Sequence, residues 1–120
     1  MTLVCGIPNA GKTTYSSKYS HVIHVDDLTP PDKMGQVIHA IKENNDICID
    51  GIFPKAEERK KLINASEEKN VCIWLDTNPN LCRGERNTCH HPSFVIDIFE
   101  RKFEAPTYDE GWDEIIIIKS

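Results

Sequence analysis

The sequence predicts an α/β fold in which helices cover both faces of a doubly wound, five-stranded parallel sheet. Five short apolar runs lack the alternation of a half-exposed strand, and stretches with a helical pattern lie between them. Short continuous runs are typical of strands that are covered on both faces. Strands that alternate with helices form parallel sheets through right-handed crossovers. Because the chain has 120 residues and no linker or repeat, we expect residues 1–120 to form a single domain.

Each strand and the first crossover helix can be placed from local patterns. The predicted strands are residues 2–5, 22–25, 47–49, 71–75 and 115–118. After the second strand, Met34, Val37 and Ile41 recur at the spacing of one helical face. We expect Thr29 to cap this helix and Pro31 to lie in its first turn.

Three more helices are predicted, at residues 54–69, 78–87 and 92–103. The first contains the charged run EERKK at residues 57–61, which we interpret as a face in contact with solvent. The last places Phe94 and Ile98 on one side.

The composition narrows the functional classes. The formal net charge of -5 argues against a protein that grips a long tract of nucleic acid, since such binding sets many Lys and Arg residues against phosphates. The negative net charge does not exclude binding of a single nucleotide at the end of a nucleic acid strand.

No run resembles a signal peptide or a membrane span, and three of the five cysteines lie inside apolar runs, which favours a reducing compartment. We expect a cytoplasmic protein that does not bind a membrane.

The residues GIPNAGKTT follow the first strand and match the phosphate-binding loop pattern Gly-x-x-x-x-Gly-Lys-Thr in full. Backbone N–H groups of such a loop point at phosphate oxygens, and the helix that follows adds its positive N-terminal end. We expect Lys12 to reach the β- and γ-phosphates of ATP and the Thr13 hydroxyl to bind Mg²⁺. The loop residues predicted to bind the nucleotide are Gly6, Ile7, Pro8, Asn9, Ala10, Gly11, Lys12, Thr13 and Thr14.

Carboxylates follow three of the predicted strands, at Asp26 and Asp27, at Asp50 and at Asp76. In an open parallel sheet the ligand lies beyond the carboxyl ends of the strands. A kinase needs a group there that orients the acceptor hydroxyl and takes its proton. We expect Asp26 to be this base, with a capping or turn role as the alternative. Asp76 is predicted to cap the helix that follows it.

Arg83 and Arg86 are three residues apart in the predicted helix 78–87 and therefore lie on one face. Both are predicted to contact the nucleotide, and the alternative for Arg83 is a pair with a surface carboxylate. His90 follows Arg86 by four residues. We hypothesise that protonated His90 supplies positive charge near the transferred phosphate, or else that Arg83 does so.

Five segments together resemble the kinase domain of 5′-hydroxyl polynucleotide kinases and their phage and bacterial relatives among P-loop kinases. They are VCGIPNAGKTT, HVDD, ICIDGIFPKAEERKKL, LCRGERN and FEAPTYDEGWDEIIII, in this order. The resemblance implies a compact α/β kinase with a short helical lid that carries arginines over the phosphates. The resemblance also implies that Lys12 binds the phosphates, that Asp26 is the base for the acceptor, and that Thr13 and Asp50 form the metal site. It places Arg86 in the lid.

The chain departs from this family pattern at three places. Thr29 stands where polynucleotide kinases often have an arginine that holds the phosphate of the substrate, and His90 replaces a second lid arginine. The residues after the third strand are Asp-Gly-Ile-Phe in place of Asp-x-Thr-Asn. The loss of the arginine makes a smaller acceptor plausible.

The sequence therefore predicts an ATP-dependent kinase that uses Mg²⁺, with Lys12, Asp26 and Arg86 as catalytic residues. The leading acceptor is the 5′-hydroxyl end of RNA or DNA. The alternatives are a kinase of a small metabolite or nucleoside, and a nucleotide-binding module that transfers no phosphate. The oligomeric state cannot be predicted from the sequence.

Overall fold

The structure is a computed structural model that describes residues 1–84 and 92–120. Its strands are β1 (Thr2–Cys5), β2 (Val22–His24), β3 (Cys48–Asp50), β4 (Val71–Asp76) and β5 (Glu114–Lys119). They form one parallel sheet in the order β2-β3-β1-β4-β5. The predicted α/β fold is confirmed, and each strand agrees with its predicted range to within one residue at either end.

The helices of the described ranges are α1 (Lys12–Ser16), α2 (Lys33–Glu43), α3 (Ala56–Ala65), α4 (Pro79–Arg83) and α5 (Ser93–Lys102). Short 3₁₀ turns lie at Val25–Asp27 and Tyr108–Glu110. No helix within residues 1–84 and 92–120 is long and apolar enough to cross a membrane.

Two helix caps differ from the prediction. Asp32 caps α2 in place of Thr29, because its carboxylate accepts a 3.0 Å hydrogen bond from the N–H of Gly35. Asn78 caps α4 through a 2.9 Å hydrogen bond from the N–H of Asn80. Asp76 cannot cap this helix because it still belongs to β4.

The central strand is covered on both faces. Leu3 and Val4 are adjacent in β1, point to opposite faces and are both fully buried. Ile41 of α2 and Leu62 of α3 pack in the core cluster on the Leu3 face, and Ile96 of α5 packs in the cluster on the Val4 face. The expectation of strands buried on both sides holds for this part of the sheet.

The edge strands are covered less than expected. Ile116 and Ile117 of β5 are 36% and 49% exposed, and the residues of β2 are only half-buried.

In α5 the predicted apolar side is also exposed, at Phe94 and Ile98, whereas Ile96 is buried. Apolar spacing therefore located the helix but not the face that packs on the sheet.

Candidate active site

Residues 6–11 form a loop between β1 and α1 at the carboxyl end of the central strand, and residues 12–14 are the first residues of α1. A Cβ atom at Gly6 would lie 2.9 Å from the carbonyl oxygen of Leu75, so a larger residue does not fit there. Gly11 has a φ of 98°, in the left-handed region that glycine adopts at little cost. The chain thus turns tightly into the N-terminus of α1, as a phosphate-binding loop requires.

The Lys12 side chain lies against the loop and not in open solvent. It is 9% exposed, and its Nζ donates a 2.9 Å hydrogen bond to the carbonyl oxygen of Ile7. Burial lowers the pKa of Lys12, while the Asp50 and Asp26 carboxylates act in the opposite direction. Both acidic residues predicted for the site are therefore close enough to act on this ammonium group.

Asp50 is the centre of a hydrogen-bond cluster beside the loop. Its Oδ2 accepts hydrogen bonds from the hydroxyls of Thr13 at 3.2 Å and Ser16 at 3.0 Å, and it lies 2.7 Å from Nδ1 of His24. The Asp50 side chain is only 5% exposed, and these contacts compensate for its lost hydration. The structure thus brings together Thr13 and Asp50, the two residues predicted for the metal site.

Ser16 and His24 were not predicted as site residues. Ser16 lies three residues after Thr13, on the same face of α1, so helical spacing could have found it. His24 is the register partner of Asp50 across β2 and β3. That pairing depends on which strands are neighbours, and the sequence does not state the strand order.

The donors present at Thr13 and Asp50 fit a Mg²⁺ ion. Mg²⁺ takes oxygen ligands and is commonly held by one or two protein groups together with water and substrate phosphates. The hydroxyl of Thr13 and the carboxylate of Asp50 are both oxygen donors, and they lie 3.2 Å apart. The chemistry of this pair therefore agrees with the expected magnesium site.

Asp26 lies in the 3₁₀ turn that follows β2 and lines a cavity of about 240 Å³. The walls of this cavity come from the residues that follow β2 and β3 and from the first turns of α2 and α3. These walls lie at the carboxyl ends of the strands, where the phosphate loop also lies. Asp26 and Asp27 are both exposed, and Asp27 does not line the cavity.

A buried ion pair holds the wall of this cavity at Phe53. Arg59 is 0% exposed, and its guanidinium donates to the Glu110 carboxylate at 2.7 and 3.0 Å and to the Phe53 carbonyl oxygen at 2.7 Å. Phe53 has a φ of 42°, which is costly for a residue other than glycine. The prediction that residues 57–61 face solvent is therefore wrong at Arg59. Glu110 is far away in the sequence, so the local charge pattern could not reveal this pair.

The helix α4 lies against the phosphate loop, since the Asn9 side chain donates a 3.0 Å hydrogen bond to the Cys82 carbonyl oxygen. Arg83 of this helix forms ion pairs with Asp97 at 2.9 Å and with Glu100 at 3.3 Å. A carboxylate pair was the alternative considered for Arg83, and its contact with a nucleotide stays a prediction. Arg86 and His90 lie outside the described residues.

No protein-family model matches the chain, and no curated protein matches its sequence. The fold matches solved structures, among them two that cover 98% of this chain. A gluconokinase from Sinorhizobium meliloti 1021 has a TM-score of 0.71 and 18% identity, with 81% of its own chain covered. A sugar kinase from Janibacter sp. HTCC2649 has a TM-score of 0.74 and 14% identity, with 83% covered. The chain has a P-loop kinase fold.

At these identities the likeness concerns the fold alone. The broader part of the resemblance, a P-loop kinase fold with a five-stranded parallel sheet, is confirmed. Neither of these two structures is named a polynucleotide kinase, so they do not support the narrower resemblance.

Proposed function

We propose that the chain is an ATP-dependent phosphotransferase that moves the γ-phosphoryl group to a hydroxyl of a small metabolite. One observation carries the proposal. The phosphate loop with Lys12, the Thr13–Asp50 pair and the cavity lined by Asp26 all lie at the carboxyl ends of the strands. Donor and acceptor can therefore be held side by side. Such positioning supplies a large part of the rate of a two-substrate reaction.

In the proposed reaction, the acceptor oxygen attacks the γ-phosphorus and forms a new P–O bond, while the bond to the β–γ bridging oxygen breaks and ADP leaves. Asp26 takes the proton of the hydroxyl. Lys12 and the N–H groups of the loop offset the charge that develops on the phosphates. Thr13 and Asp50 would hold Mg²⁺, which neutralises phosphate charge when bound. Arg86 is expected to contribute further positive charge from the lid.

Two observations support a small acceptor. Two structures of similar fold are named gluconokinase and sugar kinase, and Thr29 stands in place of the arginine that holds a nucleic acid phosphate. The 5′-hydroxyl end of RNA or DNA is the second candidate, supported by the likeness of the segment FEAPTYDEGWDEIIII to polynucleotide kinases.

Transfer from labelled ATP to a panel of small alcohols, nucleosides and a 5′-hydroxyl oligonucleotide tests the proposal. We expect label on a small alcohol, and we expect Lys12→Ala to lower the rate by roughly 10²–10³. Lys60→Ala, on the exposed side of α3, removes the same charge elsewhere and should leave the rate unchanged.

Each other outcome of this assay has its own meaning. Full activity in Lys12→Ala would refute the assignment of the phosphate loop. Preferred transfer to the oligonucleotide would favour the second candidate. ATP binding without transfer to any acceptor would favour a nucleotide-binding module, the remaining alternative from the sequence.

A further inference from the structure

The cavity that contains Asp26 offers few polar partners to a polyhydroxyl acceptor. Among the described residues, six of the nine that line it are apolar: Val25, Met34, Val37, Ile52, Phe53 and Pro54. The other three are charged, and none of the nine is Ser, Thr, Asn, Gln, Tyr or His. A sugar hydroxyl that is buried against the six apolar residues loses water without gaining a partner, which costs free energy.

The charged residues that line the cavity are Asp26, Lys33 and Glu58. Asp26 is assigned to the acceptor hydroxyl, which leaves Lys33 and Glu58 for other groups. Both side chains are half-buried, and neither forms a hydrogen bond or ion pair with another residue in the part of the chain that the structure describes. Two carboxylates against one ammonium group leave an excess of negative charge, which attracts a cationic acceptor and repels an anionic one.

We infer that the acceptor is a compact alcohol with an apolar carbon skeleton and an ammonium group, and that Glu58 binds this ammonium. The inference rests on the proposed function, which assigns the hydroxyl to Asp26. The apolar walls bury the skeleton, and the volume of about 240 Å³ restricts the ligand to a small molecule, because cavities for drug-sized ligands begin near 300 Å³. The acceptor thus differs from a sugar acid in both polarity and charge.

Three probes test the inference by calorimetric binding to the protein without ATP. Phenylalaninol carries a hydroxyl, an aromatic ring and an ammonium group, phenylpropanol lacks the ammonium, and gluconate is an anionic polyol. We expect phenylalaninol to bind about tenfold more tightly than phenylpropanol, the effect of one hydrogen bond to a charged group. Gluconate should bind more weakly than either alcohol.

Glu58→Gln should abolish the advantage of phenylalaninol over phenylpropanol. Glu57→Gln is the matched control and should preserve it. Both residues lie in the first turn of α3 and lose the same interaction with the helix dipole, but Glu57 is exposed and does not line the cavity. Tightest binding of gluconate, absence of binding by both alcohols, or an unchanged advantage in Glu58→Gln would overturn the inference.

Failure of this inference can be told apart from failure of the proposed function. Phosphoryl transfer to gluconate in place of the amino alcohol would leave the proposed function intact and overturn the inference. Absence of transfer to every acceptor would refute the proposed function, while the binding preference, which is measured without ATP, would still be observed if the inference is right.

Discussion

Asp26 and Asp27 are adjacent acidic residues in different surroundings. Both belong to the 3₁₀ turn after β2. Both side chains are exposed, but Asp26 lines the cavity and acts on the pKa of Lys12, whereas Asp27 does not line the cavity. Successive side chains of a turn point in different directions, so one residue of the pair can serve the site and the other can serve as its control.

At the residue scale, we expect Asp26→Asn to lower kcat by roughly 10²–10⁴, the effect of a positioned general base. Asparagine keeps the size of the side chain but cannot take the proton of the hydroxyl. The KM for ATP should change little, because the loop binds the phosphates. Steady-state kinetics of both variants measure this, and a larger loss in Asp27→Asn would move the base to that position.

At the scale of elements, a buried ion pair joins α3 to the segment before β5. Glu110 accepts hydrogen bonds from Arg59, from Nε1 of Trp112 at 3.1 Å and from the N–H of Thr107 at 3.0 Å. Burial acts to raise the pKa of Glu110, but these bonds outweigh it and hold the pKa below its ordinary value. Through Arg59, the segment before β5 is thereby connected to Phe53 in the wall of the proposed acceptor cavity.

Arg59→Met should lower the free energy of unfolding by about 3–5 kcal/mol, because it leaves the Glu110 carboxylate buried without its counter-charge. The double variant with Glu110→Met should recover part of this loss, since apolar side chains can replace a buried pair. Urea denaturation measures both, and Lys60→Met is the exposed control in the same helix. A double variant no more stable than Arg59→Met would contradict the proposed cause.

At the scale of the whole molecule, the two edges of the sheet are unequal. The β2 edge has three residues and leads into the turn with Asp26, whereas the β5 edge has six. Ile116 and Ile117 are exposed at the β5 edge. A long apolar edge strand can pair with another chain, and natural proteins often protect such edges with Lys.

Ile117→Lys should raise the protein concentration at which association begins, because it places a charge on this edge. Stability should change little, since the Ile117 side chain is half exposed. Light scattering over a concentration series measures the onset. His39→Lys adds the same charge on the exposed side of α2 and should not change it. An equal shift in both variants would attribute the effect to net charge and not to the β5 edge.

The fold and the phosphate loop could be predicted because their signals are local. Gly6, Gly11 and Lys12 lie within seven consecutive positions, and the loop geometry follows from backbone conformations that only certain residues adopt. Continuous apolar runs likewise located all five strands. Asp26 and Asp50 were found as candidates by a rule for parallel sheets, that ligands lie beyond the carboxyl ends of strands.

Only the tertiary structure could decide what surrounds these residues. His24 meets Asp50 across 26 positions, and Arg59 meets Glu110 across 51. The apolar lining of the cavity and the exposure of β5 likewise depend on which elements are neighbours. Burial and charge pairing depend on distances in space, and a single sequence records only distances along the chain. For that reason the residues of the phosphate loop were determined by the sequence, whereas the character of the acceptor cavity was determined by the packing of α2 and α3 on the sheet.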